Sequence, residues 1–247
     1  MFPVDSILKL GWYTGMSDES IFERDRAYQR LLDRILGGEF DLDMPLSERK
    51  LADSLGMGRT PVREAIRRLT TEGLLSVRPA RGTYVNKLTP ADVTEIYEVR
   101  FGLEGTAAYL AAERGPTPEF ARFRQSFVDM IENPGSHDLN DIHRCGQEFH
   151  VEMFRAARNR YLLEIYEPMR LRHSVTLGLP RHYDHGWVLE SVREHLGILD
   201  AIVSGDPVAA RQLVCDHLVV GLEVRSRIFE TLHVAVQPDL YRKVVGA

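Results

Sequence analysis

The chain has 247 residues, 44% of them apolar and 27% charged, with a formal charge of −5. This is globular composition with room for two domains of ordinary size, and it excludes a disordered or collagen-like chain. Only two cysteines (Cys145 and Cys215) are present, no stretch reaches the roughly 18 apolar residues of a membrane helix, and the first residues lack a signal-peptide pattern. A cytoplasmic protein with no membrane association and no disulfide framework is expected.

Residues 1–22 give no clear pattern and are set apart as an N-terminal extension. "RAYQRLLDRILGG" then places Tyr28, Leu31, Leu32, Ile35 and Leu36 at helical spacing before Gly37 and Gly38 stop the run. "SERKLADSLG" predicts a short second helix, with Ser47 as N-cap, Glu48 in its first turn and Gly56 at its end. After the tight turn "GMGR", Thr60 is the expected cap of a third helix with Pro61 at its first position. Two short helices joined by such a turn make a helix-turn-helix, whose second helix enters a DNA major groove.

The third helix supports that reading. Val62, Ile66 and Leu69 form an apolar stripe, and Arg59, Arg63 and Arg67 recur every four residues beside it. A helix N-terminus suits phosphate, and the arginine fork matches the O6/N7 edge of guanine. "LLSVRPARGTYV" reads as two short strands around a Pro/Gly turn, a wing with Arg78 and Arg81 near its tip. Charge agrees: from Arg49 to Lys87, nine Lys/Arg face three acids, whereas from Thr89 onward 17 face 23. A basic module joined to an acidic one implies a polyanion partner for the first alone. A solvated cationic face is the alternative, but Glu64 is the one nearby acid to pair with it.

The stretch "LSERKLADSLGMGRTPVREAIRRLTTEGLLSVRPARGTYV" resembles the winged helix-turn-helix of GntR-type transcription regulators, nearly position by position. The resemblance implies DNA contacts from Arg49, Arg59, Thr60, Arg63 and the wing residue Gly82, to which the helical and wing positions of Arg67 and Arg81 are added. The family's usual Ser or Thr before the first of the helix arginines is Gly58 here, which removes one hydroxyl contact to phosphate.

"NKLTP", residues 86–90, is the expected linker between a DNA-binding domain at 23–87 and a second domain at 91–233; residues 234–247 form a tail. The second domain shows only helical periodicity, broken at "GPTP", "NPGSHD", "GLPRHYDHG" and "SGDP". The fold class expected is therefore mainly α: a winged helix-turn-helix with a small β-hairpin, plus an antiparallel all-α bundle of six or seven helices.

Three stripes in this bundle each carry a histidine: Ile142, Gly146, Phe149 and Met153 with His150 at the margin; Val188, Val192, His195, Leu199 and Ile202; Val214, His217, Gly221, Val224 and Ile228. One core histidine is ordinarily structural. Three neutral imidazoles on three stripes could instead converge on one divalent ion with an open position, with zinc, nickel and manganese as candidates. Arg100 falls in the apolar register Val93, Ile96, Leu103, Ala107, where a lone charge would be costly. It either pairs with Glu104 one turn on or clamps a small carboxylate, with Glu104 at the same effector site.

"YEVRFGLEGTAAYLAAERG", "EFHVEMFRAARNRYLLE" and "VREHLGILDAIVSGDPVAARQLVCDHL" resemble the FCD effector-binding domain of the FadR-like branch of that family. The resemblance implies a homodimeric regulator, expected to be a repressor, that binds an inverted-repeat operator in double-stranded DNA and responds to a small organic acid. Many members hold a divalent metal through an Asp or Asn and three histidines. The acidic position, four residues before His150, is Gly146 here, leaving Gln147, water or the effector's own carboxylate to complete the set. A regulator for which the metal is itself the signal is the alternative. A metal-dependent hydrolase is more distant, since no G-x-S-x-G, H-E-x-x-H or Walker motif occurs and an enzyme does not explain the arginine helix.

Overall fold

The computed structural model describes residues 18–175 and 185–231, and the chain divides into two compact units at Asn86/Lys87. The expected C-terminal tail, most of the expected extension and most of "GLPRHYDHG" lie outside the described residues.

Among the described residues the first unit holds three helices and a two-stranded sheet. α1 (Asp18–Leu36) begins inside the segment set apart as an extension, so residues 18–22 belong to the helix. Its buried face, Tyr28, Leu31, Leu32 and Ile35, meets Val62, Ile66 and Leu69 of α3 (Arg59–Thr71). α2 (Glu48–Leu55) starts where the Ser47 side chain accepts from the Lys50 N–H and ends at left-handed Gly56.

α3 departs from expectation by two residues. Gly58, in extended conformation, is its N-cap and supplies no side-chain capping bond, so Thr60 lies in the first turn and is not the cap. Pro61 is tolerated there because the first helical N–H groups have no intrahelical acceptor to lose. β1 (Leu75–Arg78) and β2 (Gly82–Val85) pair antiparallel, Arg78 opposite Gly82, and the Leu46 N–H donates to the Thr83 carbonyl at 2.7 Å, tying the hairpin to the α1–α2 loop. Arg68, also on α3, turns back into the unit: its guanidinium lies 3.7 Å from the Tyr28 ring centroid and pairs with Glu72 and Asp25.

The second unit is a bundle of six described helices: α4 (Pro90–Arg114), α5 (Glu119–Glu132), α6 (Leu139–Ala156), α7 (Arg160–Val175), α8 (His185–Val203) and α9 (Pro207–Thr231). α4 opens on a capping box between Thr89 and Asp92, with Pro90 in the first turn. The long helices α4 and α9 pack along each other, α8 packs on α5 and α9, and α6 bridges α4 and α8. Phe120, Phe123 and Phe127 of α5 surround Phe149 of α6 with ring centroids 5.4 to 5.9 Å apart, edge to face, the arrangement aromatic quadrupoles favour. The turn between α6 and α7 contains neither Gly nor Pro; Arg158 takes the left-handed conformation there, at φ 47°. No described helix is long and apolar enough to cross a membrane.

Candidate functional site

Each unit presents one polar feature that its core does not need. In the first, burial of Val62, Ile66 and Leu69 turns Arg59, Arg63 and Arg67 outward, and Thr60 is exposed beside them. Arg49 of α2 and Arg81 at the wing turn are exposed too, and Gly82 opens β2. Arg63 Nε lies 3.0 Å from Glu48 of α2, and Arg67 pairs with Glu64 at 3.2 Å. Exposed pairs of this kind are worth about 0–1 kcal/mol, too little to withhold either guanidinium from a phosphate or base. The sequence reading found Glu64 but not Glu48, which comes from the neighbouring helix. The α3 N-terminus, with no side chain across it, leaves its first N–H groups available to an anion.

In the second unit α6, α8 and α9 bring His150, His195 and His217 together. One ring nitrogen from each lies within 4.8 Å of the others, with His150 Nε2 and His195 Nε2 3.1 Å apart. Two of the rings are oriented by carboxylates. Glu104 Oε2 stands 2.7 Å from His150 Nδ1, and Glu194 Oε2 stands 2.7 Å from His217 Nδ1. The Glu194 contact is a hydrogen bond that keeps the His217 proton on Nδ1 and turns its Nε2 lone pair toward the cluster, the second-sphere arrangement of metal-binding histidines, while Glu104 stands beside His150 as an ion-pair neighbour. His195 is held by packing: it stacks on Phe127 with ring centroids 5.6 Å apart and meets Phe149 at 5.5 Å. Its buried Nδ1 has no hydrogen-bond partner among the described residues. Burial first, then the neighbouring imidazoles, hold His195 well below the usual histidine range. Burial also lowers His217, with Glu194 partly offsetting it. These two rings are therefore neutral at pH 7, as metal ligation requires.

Gly146 explains how His195 reaches this position. A Cβ there would stand 2.7 Å from His195 Cε1 and 3.2 Å from Nδ1, so the imidazole occupies the space a side chain would take. Gly146→Ala is expected to lower the melting temperature, because overpacking costs about 1–3 kcal/mol and outweighs the roughly 1 kcal/mol that alanine contributes in a helix. Thermal denaturation checks this, and an unchanged or higher melting temperature would contradict the packing argument.

Arg100 is bridged to Glu104 and still lines the pocket. Its Nε donates to Glu104 Oε1 at 2.6 Å, making a continuous Arg100–Glu104–His150 chain. Burial alone raises the Glu104 pKa, but Arg100 and His150 outweigh it and bring the carboxyl down to about 2. Burial likewise opposes the Arg100 charge, and Glu104 more than restores it. The guanidinium remains in the wall of a cavity of about 120 Å³ that the three histidines also line. Glu104, expected at the effector, is fully buried behind Arg100 and is not on that wall; it orients two groups that are. Gln147 is on the wall, 2.9 Å from His143 Nε2. His143, Glu194, Tyr97, Arg170 and Arg225 escaped the sequence reading. For His143 and Arg225 the one signal was helical spacing from His150 and His217, a spacing shared with many solvent-facing residues, while Tyr97 and Arg170 stand on helices that carry none of the three histidines.

A family model described as "Bacterial regulatory proteins, gntR family" matches residues 23–85, and the FCD domain model matches residues 95–219. A protein of Paenarthrobacter nicotinovorans described as "Probable D-xylose utilization operon transcriptional repressor" is 31% identical over 204 residues, 82% of this chain and 88% of that one. The chain belongs to the GntR family. An uncharacterized HTH-type transcriptional regulator of Bacillus subtilis is 31% identical over 82% of this chain and 91% of its own length. Among solved structures, E. coli McbR/YncC shares the fold with a TM-score of 0.73 at 21% identity, covering 87% of this chain and all of that one. This GntR-family chain is thus a DNA-binding transcription regulator with an FCD domain, and not an enzyme.

Proposed function

We propose that this regulator is a homodimeric repressor whose hold on an inverted-repeat operator is controlled by a small organic acid, bound in the FCD pocket beside a divalent metal ion. The observation that carries the reading is the convergence of three imidazoles, two of them already oriented by Glu104 and Glu194. A hydrophobic core gains nothing from three such rings facing one another. Two relatives carry the word repressor in their descriptions, the xylose-operon protein and the 28% identical RspR of E. coli.

The residues present fit a metal. His150, His195 and His217 would hold it, each offering one ring nitrogen to the cluster. Once bound, the ion would supply a positive centre for a carboxylate. His195 fills the space beside Gly146, so the chain has no acid there, and a ligand carboxylate is the natural further donor. Arg100 adds a fork of N–H donors on the same wall.

A reading helix of one subunit covers few base pairs, so two-fold symmetric binding is expected. The test is fluorescence anisotropy on a labelled operator with a panel of small acids, with and without zinc, read in the stoichiometric regime for two chains per site. An acid that weakens DNA binding of wild type should have little effect on Arg100→Lys, which keeps the charge and loses the fork. Acid binding must in turn weaken by the same factor when operator is added. If metal alone shifts DNA affinity and no acid does, the ion is the signal and the acid reading fails.

A further inference from the structure

This inference deepens the proposed acid-sensing role and rests on it. We propose that the ligand of the FCD pocket carries two anionic groups, and that Arg225 of α9 selects the second.

Among the described residues the pocket wall has three arginines, Arg100, Arg170 and Arg225; Glu104 pairs with Arg100, Glu167 pairs with Arg170, and Glu194 on the wall is committed to His217. One carboxylate and one metal account for the His150–Arg100 end. Arg225 is a second guanidinium on the same wall, eight residues beyond His217 on the same helix, about 12 Å along its axis. Arg225 and Arg100 both approach the ring of Tyr97, their guanidinium carbons 5.5 and 4.8 Å from its centroid. Their separation is therefore at most the sum of these, about 10 Å, a span that a short diacid bridges with one carboxylate on each fork.

The Arg225 end is built. Arg225 Nη1 donates to the Gly221 carbonyl at 3.0 Å. A Cβ on Gly221 would stand 2.9 Å from the Tyr97 hydroxyl and 3.4 Å from Arg225 Nη1, so both groups depend on the bare backbone there. His143 and Gln147 of α6 line the same cavity and contact each other. Burial first, then the positive fields of Arg225, His150 and Arg100, bring His143 down to about 4, so it offers a neutral hydrogen bond. Those fields also stabilise any anion placed beside it. The polar lining at this end, His143, Gln147 and Arg225, suits a compact diacid and not an acyl chain.

The experiment is calorimetry on zinc-loaded full-length protein with matched probes: malonate, succinate and L-malate against propionate, butyrate and L-lactate. At least one diacid should bind roughly tenfold tighter than its monoacid counterpart, the scale of one charge-assisted bidentate pair. Arg225→Gln should erase that advantage, lowering diacid affinity much more than monoacid affinity, and Arg225→Lys, which keeps the charge, should retain part of it. Melting temperatures of both variants establish that they fold, and a fold lost in the first leaves the second to decide. Equal binding of diacids and monoacids, or a diacid advantage that survives Arg225→Gln, overturns this proposal and leaves the acid-sensing role standing. Binding of no acid at all overturns both.

Discussion

Arg63→Ala is expected to lower operator affinity by about 1–3 kcal/mol, a loss of roughly 5- to 150-fold, and to relax the preference for one base pair. Arg63 stands midway along the exposed side of α3, between Arg59 at the N-terminus and Arg67 a turn further on, while Val62 and Ile66 bury the opposite side. Of these arginines it is the one that reaches across to α2, at Glu48. That pair orients the guanidinium across the exposed side of the two helices and yields readily, since both partners are exposed. Binding of wild type should weaken steeply with salt, as Arg49, Arg59, Arg67 and Arg81 displace counterions from phosphates. Replacing a purely phosphate-contacting arginine should reduce the salt slope by about 1 and weaken all sequences alike. Anisotropy titrations on operator and scrambled DNA at several salt concentrations read both effects. An Arg63→Ala variant with wild-type affinity and preference would remove α3 from the major groove.

Loss of any one of the three histidines is expected to abolish stoichiometric metal binding. Elemental analysis of wild type purified without chelator should find up to about one equivalent of a divalent ion, and His150→Ala, His195→Ala and His217→Ala should each retain a small fraction of it. Chelation should lower the melting temperature of wild type, because an ion that prefers the native site stabilises it, by about 2.7 kcal/mol at a hundredfold excess over its dissociation constant. Glu104→Gln and Glu194→Gln should weaken binding by about 10- to 100-fold without abolishing it, the usual cost of losing a carboxylate behind a ligating imidazole. The His195 variant also loses its contacts with Phe127 and Phe149, so its stability is compared in the metal-free state. A protein that takes up no zinc, nickel or manganese, with a melting temperature indifferent to chelator, returns the histidines to a structural role.

Local chemistry made the first unit legible from the sequence. Ser47, Gly56, Pro61 and the wing turn act on backbone atoms within a few residues, and a helix or turn needs no distant partner to declare itself. The departures there, the start of α1 at Asp18 and Gly58 in place of Thr60 as the cap of α3, both lie at helix ends, where boundaries are least sharply specified. In the second unit the 3.6-residue period placed His150, His195 and His217 on or beside buried stripes, and they are buried or nearly so.

Periodicity gives the face of a helix but not what that face meets. The sequence could say that three imidazoles point inward; only the packing of α6, α8 and α9 brings their nitrogens within 4.8 Å. It offered Arg100 a partner or a ligand as alternatives, and the tertiary structure joins the two, with Nε on Glu104 and the guanidinium in the pocket wall. Glu194 could not be assigned to His217 from the sequence, because 23 positions separate them and only the α8–α9 contact closes that gap. The same holds for Gly146. As a letter it is a missing metal ligand; in the fold it is the space that His195 occupies. Caps and stripes are set by neighbours along the chain, whereas a site assembled from helices some 45 and 67 positions apart is set by how a whole core packs, and that geometry is what tertiary structure alone decided.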